Sequence, residues 1–200
     1  LFTTIEVSDK QDINIVKQSE KFNGFGLVQL KDNEKNNGNL TINDFCEIGT
    51  FVRVKNQINT IYGSKSLYLE TICRFKVLSL LCDRGVITAQ VQYIEEDKLT
   101  EMEDKAYTKT LREALDQRPD RSMLLENLRF NASNISEAIR LADYLASSVV
   151  PKHLQQEFLE TLNGKERILK VLKVLKEELN VHKMQNEIQA MDSIELVYRR

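Results

Sequence analysis

Residue types that could carry chemistry are sparse in this chain and poorly placed for it. The stretch Tyr62-Gly63-Ser64-Lys65-Ser66 gathers a glycine, a lysine and two serines, ingredients with which a phosphate loop cradles a nucleotide. It lacks that motif's first glycine and its Gly-Lys pair, and it lies between two strand patterns instead of before a helix, so it reads as a hairpin turn. His153 and His182 each fall in a helical pattern with no Cys, Asp or His at metal-ligand spacing. Neither the Gly-x-Ser-x-Gly elbow nor the His-Glu-x-x-His helix occurs. Carboxylates are plentiful, but none stands in a context that marks an acid/base pair. Glu166 and Lys170 have the favourable order of an i,i+4 pair, and with Lys173, Lys176, Glu177 and Glu178 they read as a solvated helix face. The chain is expected to be non-catalytic.

Composition narrows the classes further. Twenty-eight basic against 30 acidic residues, formally −2 overall, exert no global pull on nucleic acid or an anionic membrane. Charged residues make up 29%, and no apolar run approaches the roughly 18 residues of a membrane helix, so a soluble chain is expected. Cys46, Cys73 and Cys82 are odd in number and show no Cys-x-x-Cys spacing, which reads as reduced thiols in a reducing compartment. The start at Leu1-Phe2, without an initiator Met, a signal peptide or a basic transit segment, reads as a piece of a longer protein.

The elements divide the chain in two. In the first half apolar residues recur with period two. Leu67, Leu69, Thr71, Cys73, Phe75 and Val77 are expected on one face of a strand over 67–81, with Tyr68, Glu70, Ile72, Arg74 and Lys76 on the other. Residues 87–93 repeat the pattern after a turn at Asp83-Arg84-Gly85. Further strands are expected over 24–30 and 49–61, a polar loop from Lys31, and one short helix over 9–19. Several strands with one helix predict a small mixed barrel.

Beyond an acidic link around 95–103 the period becomes helical. Tyr107, Leu111, Ala114 and Leu115 form one stripe, ended by Pro119. A second, with Ile135, Ala138, Ile139, Ala142, Leu145 and Val149, is led by Asn134 with Glu137 three residues on, an Asx capping box. Pro151 suits the first turn of a helix carrying Leu154, Phe158 and Leu162. Asn163 then caps a last helix, in which Ile168, Leu172, Leu175 and Leu179 make a two-heptad seam and Val181, Met184, Ile188 and Met191 restart on a shifted face. Over 165–189 it would reach ~37 Å, long enough to project toward a following domain or partner.

Three segments, taken in order, carry a resemblance. They are GLVQLKDN from Gly26; DFCEIGTFVRVKNQ with LYLETICRFKVLSL between Asp44 and Leu80; and EAIRLADYLASSVVPKHLQQEFLETLNGKERILKVLKVLKEELNVHKMQNEI from Glu137. Together they resemble the N-terminal domain of the ATP-dependent protease Lon family. Gly49, Thr50, Arg74, Arg140, Leu141, Ala142, Asp143, Ala146, Leu159, Glu160, Leu162, Arg167, Leu172 and Gln185 fall on matching positions, while Thr71 stands where the family usually has Gly. The family's first strand would lie upstream of Leu1, and the AMDSIELVYRR tail departs from the family's charged helical continuation.

The resemblance implies an α+β fold: a PUA-like β-rich barrel over 1–98, then a helical bundle over 99–200 ending in a long helix. It also implies a role in capturing unfolded or damaged proteins and supporting hexamer assembly within an ATP-dependent serine endopeptidase. ATP and magnesium are then implied for the full-length parent and no cofactor for this piece. None of the family's catalytic residues carries over to a position here. Loop apolar residues Ile61, Tyr62, Val149 and Val150 are the candidates for substrate contact. The alternative is a stand-alone PUA-like nucleic-acid-binding module, but the first half intersperses acidic and basic residues where a basic strip would be required. No membrane partner is expected. A bacterial cytoplasm is the expected location, with a mitochondrial matrix as the alternative.

Overall fold

The computed structural model describes residues 1–31, 41–60, 63–83, 86–119 and 122–198. They form two compact units, Leu1–Glu95 and Glu96–Arg200. The expected boundary, between 98 and 99, falls slightly later in the link. Glu96 and Asp97 bond into the helical unit, through Arg167 and the Gly164 amide, which is why the division precedes them.

The first unit comprises β1 (Phe2–Val7), α1 (Lys10–Phe22), β2 (Phe25–Leu27), β3 (Ile48–Asn59), β4 (Lys65–Asp83) and β5 (Val86–Tyr93), with a short 3-10 turn at Ile42–Asp44. The sheet is antiparallel throughout, in the order β1-β4-β3-β2 with β5 also on β4. Nineteen residues of β4 serve two partners along one edge: its first part pairs with β1 and its last part with β5. Among the described residues no ladder joins β2 back to β1 or β5. Its core gathers Val7, Val52, Leu67 and Leu69 from the strands and Val16 from α1. No strand was expected over 2–7; six residues, with Thr3, Thr4 and Glu6 among them, gave too short an apolar pattern to recognise.

The expected burial of β4 holds at Leu67, Leu69, Phe75 and Val77, with Lys76 exposed, but its pairing with β3 is interrupted after Thr71. Val52 pairs with Thr71, but its neighbour Phe51 pairs with Cys73, so Ile72 is an extra residue, a β-bulge. Arg74, expected on the solvent face, is buried beside the bulge, as are Phe75 and Val77. Instead of a Gly at position 71, the Thr71 amide and hydroxyl both donate to the Leu1 carbonyl, at 2.8 and 3.2 Å.

The second unit is helical: α2 (Glu101–Asp116), α3 (Met123–Ser133), α4 (Ala138–Val149), a 3-10 turn at Lys152–Leu154, α5 (Gln155–Glu160) and α6 (Gly164–Tyr198). Thr100 and Glu103 form a reciprocal capping box on α2, and Ser122 caps α3. The helix α3 was not expected. Leu125, Leu128 and Ala132 face inward, but Met123, Leu124 and Phe130 are highly exposed, so no single stripe stands out. Asn134 does not cap α4. It ends α3, its side-chain amide donating to the Phe130 carbonyl, while Glu137 occupies the N-cap position of α4. The first amide of that helix, Ala138, instead donates to the Asp104 carboxylate from α2 at 2.8 Å.

Asn163 does cap α6, accepting from the Glu166 amide at 3.0 Å. Ile168, Val171, Leu172 and Leu175 enter one core with α2 to α5. The helix runs 35 residues, ~52 Å at its usual rise. It continues through the tail that departs from the family pattern, and from Val181 to Ala190 every residue but His182 is exposed.

Candidate functional site

The residues singled out for chemistry do not converge. Ser64 is buried and its hydroxyl donates to Glu6, while the Lys65 ammonium donates to Gln57 at 3.1 Å. A turn committed to a carboxylate does not suit a phosphate. His153 is exposed, and His182 meets only Asn186, 3.1 Å away on the same helix. Cys46 is buried and Cys73 half-buried, and burial pushes the Cys73 thiol up from its ordinary pKa. Among the described residues no three His, Cys, Asp or Glu side chains cluster as metal ligands would.

Ile61 and Tyr62 lie outside the described residues. Val149 and Val150 close the C-terminal end of α4 and are only 5% and 6% exposed. Their side chains fill the helical core, so packing accounts for both and neither is offered to a ligand. Sequence reasoning took them for loop residues because Pro151 follows, yet Val149 is the last residue of α4 and Val150 its C-cap.

What the structure does assemble is an aromatic face on the sheet. Before the bulge, the period of two in β4 sends Leu67 and Leu69 into the core and Tyr68 and Glu70 outward. In the register of β1, Phe2 opposes Glu70 and Thr4 opposes Tyr68, so Phe2 and Tyr68 are diagonal neighbours on that outer face. Their rings stack with centroids 5.3 Å apart and planes within 6°. Both stay open to solvent, at 55% and 44% exposure. On the other side of β4, Ile58 opposes Ser66 on the same face and is also exposed, and Ile72 protrudes at the bulge.

A charge cluster borders the rings. Glu70 meets the Lys55 ammonium at 2.8 Å and the Arg53 guanidinium at 3.8 Å. The hydrogen bond from Lys55 holds the Glu70 carboxyl below its ordinary pKa. With both signs engaged at one point, this face has no continuous basic track for a phosphate backbone. It can offer flat apolar surface, held in place by the sheet, with polar groups at its border.

A different arrangement occupies the start of α6. Arg167 is fully buried. Its guanidinium donates to Asp143 on α4 at 3.0 Å, to Glu96 in the link, and to the carbonyls of Thr161 and Leu162 at 3.0 and 2.8 Å. One arginine thus joins the link, α4, the end of α5 and the long helix, a task suited to its rigid fork of donors. Asp143 and Arg167 were both among the matching positions, but nothing in their spacing showed that they meet.

The comparisons with known proteins agree with one another. Residues 1–177 match the family model of the ATP-dependent protease La (LON) substrate-binding domain. The chain is similar to the Lon protease of Treponema pallidum (strain Nichols), 31% identical over 196 residues, covering 94% of this chain and 22% of that protein. It is also similar to the Lon protease of Magnetococcus marinus, 32% identical over 206 residues, with 94% and 24% covered. The chain therefore spans about a quarter of the length of these relatives. In fold it is similar to the N-terminal domain of Mycobacterium avium complex Lon protease, with a TM-score of 0.66 at 16% identity, covering 88% of this chain and 90% of that one. The Lon N-terminal domain protein from Xanthomonas campestris gives a TM-score of 0.58 at 18% identity, with 86% and 89% covered. This chain belongs to the family of Lon substrate-binding domains.

Proposed function

We propose that this chain recognises protein substrates for an ATP-dependent serine endopeptidase of the Lon type, and that it does so through the outer face of its sheet. The observation that carries this reading is the exposed Phe2–Tyr68 stack. Two large rings fixed in place present apolar area with little conformational freedom left to lose on binding. Ile58 and Ile72 extend that area. Such a surface meets apolar side chains that a folded protein keeps inside, so it selects unfolded or damaged chains over native ones without a dedicated pocket.

In this reading ATP and magnesium act in the parts of the parent outside this chain. The parent assembles as a hexamer and works in a bacterial cytoplasm. The exposed stretch of α6 beyond Val181 then leads from the helical unit toward those parts. No observation favours the nucleic-acid reading, and the mixed charges around Glu70 speak against it.

The test is fluorescence anisotropy of the 200-residue chain with labelled, reduced and carboxymethylated α-lactalbumin, a permanently unfolded polypeptide. Native α-lactalbumin and a nucleic acid serve as competitors. Saturable binding that native protein and nucleic acid leave intact, and that Tyr68→Ser weakens, is the expected result. Absence of binding, or displacement by the nucleic acid, would overturn the proposal.

A further inference from the structure

The sheet has one edge built differently from the others. β5 reads Val-Ile-Thr-Ala-Gln-Val-Gln-Tyr, eight residues without a charge, a proline or a glycine. It pairs with β4 on one side, and among the described residues no strand pairs with its other side and no backbone hydrogen bond reaches that side from another segment. Although α1 packs close to β5, Ile87 to Gln90, Gln92 and Tyr93 remain exposed.

Other open edges carry the usual protections. β1 contains Glu6, β2 has only three residues, and β3 beyond its pairing with β2 carries Arg53 and Lys55. Charged and very short edges resist the addition of a further strand, whereas a long uncharged one invites it.

The direction of the free groups follows from one bond. The Ile94 amide donates to the Arg74 carbonyl at 3.0 Å, so residue 94 faces β4, and alternate residues back along the strand, Gln92, Gln90 and Thr88, face it as well. The one irregularity of this pairing, at Leu78, lies in β4 and leaves the alternation of β5 intact. Tyr93, Val91, Ala89 and Ile87 therefore direct their amides and carbonyls away from the sheet.

We propose that this edge of β5 binds an extended segment of an unfolded polypeptide as an added antiparallel or parallel strand. The inference rests on the substrate-recognition reading above and supplies a second mode of contact for it. Main-chain pairing requires only that the partner be extended and have its own amides and carbonyls free. That condition is met by an unfolded chain of almost any sequence and not by a folded protein, whose backbone groups are already paired. The uncharged side chains of β5 repel a segment of neither sign. Recognition is then broad in sequence and narrow in conformation, while the aromatic face favours segments that are apolar.

The test uses the same 200-residue chain and the same carboxymethylated α-lactalbumin. Hydrogen exchange at single amides is followed with and without the probe, and affinity is compared between wild type and Ala89→Pro. That substitution removes an outward-facing amide and none directed at β4. Slowed exchange at Ile87, Ala89, Val91 and Tyr93, with affinity about tenfold weaker in Ala89→Pro, is expected, a loss that one or two main-chain hydrogen bonds account for. Should Ala89→Pro lose its sheet by circular dichroism, the exchange result on wild type decides alone. Saturable binding with those four amides unaffected overturns the edge inference and leaves substrate recognition standing. Absence of binding by wild type overturns both. Protection of the four amides without probe, rising with protein concentration, makes a second copy the occupant and also overturns it.

Discussion

The two units of this protein hold together by different means and leave different surfaces behind. In the helical unit an extended apolar core runs from Leu111 to Leu175 and draws on five helices. At its margin the buried Arg167 fastens four segments. The sheet unit has a smaller core, Val7, Val16, Val52, Leu67 and Leu69 with partly buried neighbours, and relies on ladder hydrogen bonds along one very long strand. It holds the exposed Phe2 and Tyr68 rings in a fixed stack, where the helical unit leaves Met123, Leu124 and Phe130 in solvent, and one of the sheet's edges is unprotected. A region selected only for stability would cover such groups. In the proposed reading the helices give support, and the sheet, with its fixed ring stack and open edge, gives recognition.

The largest effect is expected at Arg167. Arg167→Ala removes the buried guanidinium that joins Asp143, Glu96 and two carbonyls, at a cost of about 3–5 kcal/mol. Hydrogen exchange resolved by unit should show the helices loosening while the amides of β3 and β4 keep their protection. Equal loosening of both units would mean that they are one cooperative body. Leu69→Ala makes the reciprocal probe: the side chain is fully buried in the small core, and its truncation costs about 2–5 kcal/mol. Exchange should accelerate in β1, β3 and β4 and remain slow in α4.

A smaller change is expected at Tyr68, whose ring is half in solvent. Tyr68→Ala forfeits the stack with Phe2, worth about 0.5–1.5 kcal/mol, yet it should weaken binding of an unfolded chain measurably. A variant that binds normally would separate the aromatic face from recognition.

The smallest effect concerns acid. The Lys165 ammonium and the Thr100 amide and hydroxyl bond to Glu103 and depress its carboxyl from 4.5 to about 2. Because the folded pKa lies below the unfolded one, this group stabilises the fold above pH 4.5, and its contribution is lost as pH falls from 4.5 toward about 2. Glu103→Gln should flatten the pH dependence of helical-unit melting within that window. An unchanged slope would show that the carboxylate is not coupled to folding.

Much of this architecture was legible because it rests on period. Alternation announced β3, β4 and β5, and the four-three spacing of Ile168, Leu172 and Leu175 announced the buried face of α6. The Asn163 cap was readable because side-chain capping is a local event. What stayed hidden depends on partners far along the chain. The bulge at Ile72 arises from register against β3 and leaves no mark in the sequence of β4 itself. Asn134 and Glu137 have the spacing of a capping box, but a carboxylate from α2 supplies the first amide of α4 instead. Arg167 has the sequence context of any surface charge, and its burial depends on Asp143 and Glu96 arriving from other segments. Phe2 and Tyr68 could not be paired while β1 was unrecognised, so the candidate face was missed and two core valines stood in its place.

The most direct test of the central claim is the hydrogen-exchange map of the whole chain with and without carboxymethylated α-lactalbumin. The account predicts new protection in the sheet unit, along β1, the first part of β4 and β5, with the helical unit unchanged. Protection confined to the helical unit, for instance around the exposed Met123, Leu124 and Phe130 of α3, would contradict it and move recognition to the helices.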